Sequence, residues 1–135
     1  MGQRIDQFCD DLRAKLTKID DRLGSLKAKL DARAESAEQD VRGRLDQLQR
    51  HIEHDHAKVS AARETVKSWV ENRKAATADK VAGWKANHEV GRLKKRADDA
   101  ENYAAAATAM AVAAVDHAEE AALEAWIARR DADLA

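Results

Sequence analysis

Residues 90–128 read VGRLKKRADDAENYAAAATAMAVAAVDHAEEAALEAWIA, and this stretch decides the fold class. Alternating steps of three and four land on Val90, Leu93, Ala97, Ala100, Ala104, Ala107, Ala111, Ala114, Ala118, Ala121, Ala125 and Ala128. A stripe of period 3.5 is the mark of a helix that lies along another helix. Methyl groups in that stripe let a partner backbone come close, so large residues are expected to be excluded from it. Tyr103, Met110 and His117 repeat every seven residues beside the seam, and Leu123, Trp126 and Ile127 widen the face near its end. An apolar face this broad predicts burial against more than one neighbour.

Upstream, Ile5, Cys9, Leu12, Leu16, Ile19, Leu23, Leu26 and Leu30 follow the same rhythm with larger side chains. Between them stand Asp10, Asp11, Arg13, Lys15, Lys18, Asp20, Asp21 and Arg22, which read as a solvated back. The phase slips at Arg33 and resumes at Ala34, Ala37, Val41, Leu45, Leu48 and Ile52. A stutter within a continuous helix accounts for the slip. A chain break with Ser36 and Gln39 as a capping box is the alternative. The seam runs on through Asp55, Val59, Ala62, Val66 and Trp69, then fails where Arg73, Lys80 and Asn87 occupy its positions. A turn fits best at about 72–79, with Asn72 in the left-handed conformation and Thr77 capping the next helix ahead of Asp79. A rival turn lies between Gly83 and Gly91, around Asn87.

The composition agrees with long helices. The 135 residues include no proline and five glycines, with 4% aromatic and 36% charged residues. Such a chain lacks the large apolar side chains for a thick round core. The expected fold is therefore all-α: a single elongated domain built as a long antiparallel helical hairpin or coiled coil. One arm spans 3–71, the turn about 72–79, and the second arm 79–132. A real break near 33–37 makes it a three-helix bundle instead.

The net charge of −1 gives no global attraction for nucleic acid. Residues 1–100 carry 22 Lys and Arg against 18 Asp and Glu, and residues 101–135 carry 2 against 7. That asymmetry suits helices that fold onto each other or onto a second copy. The first ten residues are polar and contain no apolar signal core, and no apolar run reaches the ~20 residues of a membrane span. The expected location is the cytoplasm.

One cluster has the residue types of a metal site, His51-Ile52-Glu53-His54-Asp55-His56. On a helix His51, His54 and Asp55 share a face, and Glu53 with His56 has the Glu-x-x-His spacing of di-iron bundles. Those bundles need a second such motif and two more glutamates, and His117 with Glu120 runs in the reverse order. The cluster reads first as a solvated face, with His51, His54, Asp55 and His56 as candidate ligands in the alternative reading. Arg92, Lys94, Lys95 and Arg96 form a basic group, flanked by Glu89, Asp98, Asp99 and Glu101. It too reads as a solvated face, since the few aromatics do not interleave with it in sequence. His88 beside Trp84 reads as a partly buried histidine, and Cys9 as a small buried hydrophobe.

No nucleophile elbow, P-loop or dinucleotide fingerprint is present. The residues point to a non-enzymatic structural or interaction module that needs no cofactor. It self-associates through its helix seams, most simply as a dimer, with no nucleic-acid partner and no membrane span. A metal-binding helical bundle is the alternative.

Overall fold

The computed structural model describes residues 2–31 and 35–135. Among these the chain forms five α-helices and no strand: α1 (Gly2–Asp31), α2 (Glu35–His54), α3 (His56–Ala75), α4 (Ala78–Ala86) and α5 (Val90–Leu134). The all-α expectation holds. Helix α5 has 45 residues, about 67 Å of helix, and no proline interrupts it.

The expected arm over 3–71 is three helices. Helix α1 ends at Asp31 and α2 begins at Glu35. The slip at Arg33 and the start of the renewed phase at Ala34 lie outside the described residues. Ser36 falls inside α2, so it does not precede the helix as a capping-box residue must. Asp55 alone separates α2 from α3, and its N–H still donates to the His51 carbonyl at 3.0 Å.

Both candidate turns are real. Helix α3 runs through Asn72 to Ala75, four residues beyond the expected arm end at 71, and the Ala76 N–H still reaches the Asn72 carbonyl at 2.9 Å. Thr77 caps α4 as its position predicts, its hydroxyl accepting from the Lys80 N–H at 3.3 Å. Asp79 stands in the first turn of α4, where a negative charge meets the positive end of the helix. The second turn splits the expected arm 79–132 into α4 and α5. There the left-handed residue is His88, with φ of 54°. Histidine is among the non-glycine residues that tolerate this region. The Glu89 N–H then bonds back to the Trp84 carbonyl at 2.9 Å and closes the helix end. His88 is exposed, not partly buried as its place beside Trp84 suggests.

The chain divides into two compact units, 1–56 with 112–135, and 57–111. In the first, α1, α2 and the second half of α5 share a core. Arg22 of α1 meets Asp116 and Glu119, and the Trp126 indole donates to the Leu30 carbonyl at 3.0 Å, so α1 and α5 run parallel. Helix α2 runs against both: Glu38 meets Arg130, Arg44 meets Glu119, and His51 faces Asp116. Leu26, Val41, Leu48, Leu123 and Ile127 form the buried cluster. Leu30, Leu45, Ile52, Ala122 and Trp126 pack around it.

In the second unit Ala62, Val81, Ala106 and Thr108 are buried. Trp69 of α3 stacks on Tyr103 of α5, with ring centroids 5.3 Å apart and planes 17° from parallel. The end of α3 reaches the start of α5, and α4 bridges them in the turn.

The alanine seam does not carry the core of the first unit. Ala111, Ala114, Ala118, Ala121, Ala125 and Ala128 are all exposed. The buried edge of α5 runs instead through Asp116, Glu119, Leu123 and Ile127. At 100° per residue the two stripes lie on roughly opposite sides of the helix. The larger side chains win the interior because they remove more apolar area from water than methyl groups do.

Candidate functional site

The histidine cluster stands at the end of α2. His51 Nε2 lies 3.2 Å from Asp55 Oδ2, and His54 Nδ1 lies 3.2 Å from Asp55 Oδ1. The structure thus gathers three of the four candidate residues around one carboxylate. His56 opens α3 with its side chain exposed. Among the described residues, no group of three or more His, Cys, Asp or Glu side chains is arranged to hold a metal ion. Asp55 stands between α2 and α3 with one imidazole against each of its carboxylate oxygens.

His51 also faces a buried ion cluster that the periodicity does not reveal. Asp116 and Glu119 are 3% and 2% exposed, inside the core of the first unit. Arg44 grips Glu119 as a fork, Nε to Oε1 at 2.9 Å and Nη2 to Oε2 at 3.2 Å. Arg22 spans both acids, Nε lying 3.0 Å from Glu119 Oε2 and Nη2 lying 2.9 Å from Asp116 Oδ1. Those Arg22 contacts are close enough for strong attraction but off the hydrogen-bond direction. His51 Nε2 stands 3.6 Å from Asp116 Oδ2. Each element of the unit therefore contributes a charge to one buried knot. Carboxylates are almost never buried unless they are paired, and here the pairing ties three helices. A signal was present in the sequence. Asp116 and Glu119 stand three apart and in phase with Leu123 and Ile127, on the face opposite the alanines. Arg22, placed on the solvated back by spacing alone, turns inward because these acids meet it.

The surfaces left uncovered are apolar stripes. In α1, Leu26 is buried and Leu30 is half-buried, whereas Ile5, Leu16 and Leu23 are 50%, 55% and 44% exposed. Cys9 lies on the same exposed stripe, not in a buried seam. Beside it Phe8, Leu12 and Ile19 are half-buried. The apolar face of α1 is thus wider than the edge its own chain covers, and the alanines of α5 add a second bare stripe.

The basic group also gains a setting. Arg92, Lys95 and Arg96 line a hollow in the second unit together with Trp69 and Trp84. Aromatics absent from the neighbouring sequence are brought there by α3 and α4. No described helix is long and apolar enough to cross a membrane.

No protein-family model, curated protein or solved structure matches this chain.

Proposed function

We propose that the chain is a non-enzymatic helical interaction module that pairs with a second copy of itself through the apolar face of α1. The observation that carries this is the exposure of Ile5, Leu16 and Leu23 in heptad phase with buried Leu26. Such a stripe matches another helix of the same period, and every further copy of the chain supplies one. Pairing two copies covers the stripe of each, at about 25 cal/mol for each Å² of apolar surface removed from water. The bare alanine stripe of α5 offers a second face on which a helix backbone can approach closely.

Light scattering coupled to size exclusion tests the proposal. The parent chain is expected to run as a dimer that dissociates on dilution. The double variant Leu16→Glu, Leu23→Glu is expected to stay monomeric with unchanged helical circular dichroism, because both positions are exposed within the chain. A parent chain that is monomeric at every concentration overturns the reading.

A further inference from the structure

We propose that the hollow between the end of α3, α4 and the start of α5 binds a phosphorylated ligand that carries a flat ring, the chemistry of a nucleotide. It has a volume of about 1150 Å³ and lies wholly within the second unit. That exceeds the roughly 300–1,000 Å³ of most small-molecule sites, and the hollow is open to solvent. Six cationic side chains line it, Arg73, Lys80, Lys85, Arg92, Lys95 and Arg96, against a single acid, Asp99.

This imbalance is local. The chain as a whole has 25 acidic and 24 basic residues, so acids were available to line the hollow. Asp99 is used by Lys95 at 2.7 Å, and Arg92 lies 3.6 Å from Glu89. Arg73, Lys80, Lys85 and Arg96 have no acidic partner among the described residues. Like charges gathered in a concave wall repel one another and make the potential of the hollow positive, an effect that salt screens because the side chains are exposed. An anion seated there relieves that repulsion and gains contacts from several cations at once. Arginine's planar fork matches phosphate oxygens in pairs, and lysine adds a mobile point charge. The capped N-terminus of α4 faces the same space and adds its partial positive charge.

The ring requirement comes from the two tryptophans. Trp69 is backed by Tyr103, which fixes the plane of its indole. Trp84 has the Arg92 guanidinium 5.7 Å from its ring centroid. A backed indole and a guanidinium–indole pair are the platforms on which bases stack. Cations alone would serve any polyanion, but cations beside two indoles select one with a flat aromatic part.

This site is independent of self-association, since no residue of the α1 stripe lines it. The test is calorimetric titration of the full chain at low salt with three probes: ATP, inorganic triphosphate, and a short oligothymidylate. ATP is expected to bind, and the ring-free triphosphate at least about fivefold more weakly, from the usual strength of base stacking. The double variant Arg73→Ala, Arg96→Ala is expected to weaken ATP by at least about tenfold while helicity is unchanged, both side chains being exposed. Lys15→Ala on α1 is expected to leave binding intact. If the oligonucleotide binds more tightly than ATP, the ligand is a single strand; if not, it is a free nucleotide. No binding by either ring-bearing probe overturns the proposal. So does binding that the arginine variant leaves unchanged, and so does equal affinity for triphosphate and ATP.

Discussion

Glu119 shows most clearly how one side chain organises its surroundings. Its side chain is 1% exposed, and two guanidiniums from different helices meet its oxygens. A charge this deep is tolerable only while both arginines stay. Removing one partner of a buried pair strands the other and costs about 3–5 kcal/mol. Arg22→Ala and Arg44→Ala, each of which strips a partner from the buried Glu119 carboxylate, are therefore expected to lower stability by roughly that amount. Glu119→Ala is expected to cost less, because the two arginines it leaves behind are partly exposed and recover some hydration. Urea denaturation of the three variants measures the order. An Arg44→Ala midpoint equal to that of the parent would show that the knot contributes nothing to folding.

Helix α5 carries the second lesson, at the scale of an element. Its two stripes look alike in period and differ in side-chain size. The interior took the stripe with Leu123 and Ile127, and left Ala111 to Ala128 outside. The expectation that a large residue cannot enter the alanine seam is corrected accordingly for this part of the helix. Ala118→Leu is expected to change the stability of the single chain by no more than about 0.5 kcal/mol, as surface substitutions usually do. Leu48→Ala in α2, at a site 1% exposed, is expected to cost about 2–5 kcal/mol. Thermal melts at a concentration where the chain is monomeric compare the two. A larger loss for Ala118→Leu than for Leu48→Ala would mean that the alanine stripe is the packed one.

For the whole molecule, the open stripe of α1 would set the geometry of the proposed pairing. Its exposed part, residues 5–23, lies toward the N-terminus, while Leu26 is committed to the chain's own core. Parallel pairing would set two such cores side by side. Antiparallel pairing about the middle of the stripe places them at opposite ends. Cys9 then lies about five residues from the centre, so the two Cα atoms stand about 15 Å apart. A disulfide needs Cα atoms within about 7 Å. Brief copper-phenanthroline oxidation is thus expected to give no rapid disulfide-linked dimer, although Cys9 is exposed. A fast dimer band on non-reducing gels that vanishes in Cys9→Ser would establish parallel pairing.

The sequence by itself determined that the chain is helical and that Thr77 starts a new helix. Those features are local, since periodicity, caps and the lack of proline act within a few turns. It also located the histidine cluster and the basic group, but not their surroundings. Only the tertiary structure decided which face of α5 goes inside, that Arg22 and Arg44 draw Asp116 and Glu119 into the core, and that Trp69 and Trp84 stand beside Arg92 and Arg96. The reason is that a period fixes an angle around a helix's own axis and says nothing of the neighbour at that angle. Where two stripes compete on one helix, the outcome rests on side-chain size and on charges delivered from residues some 75 positions away.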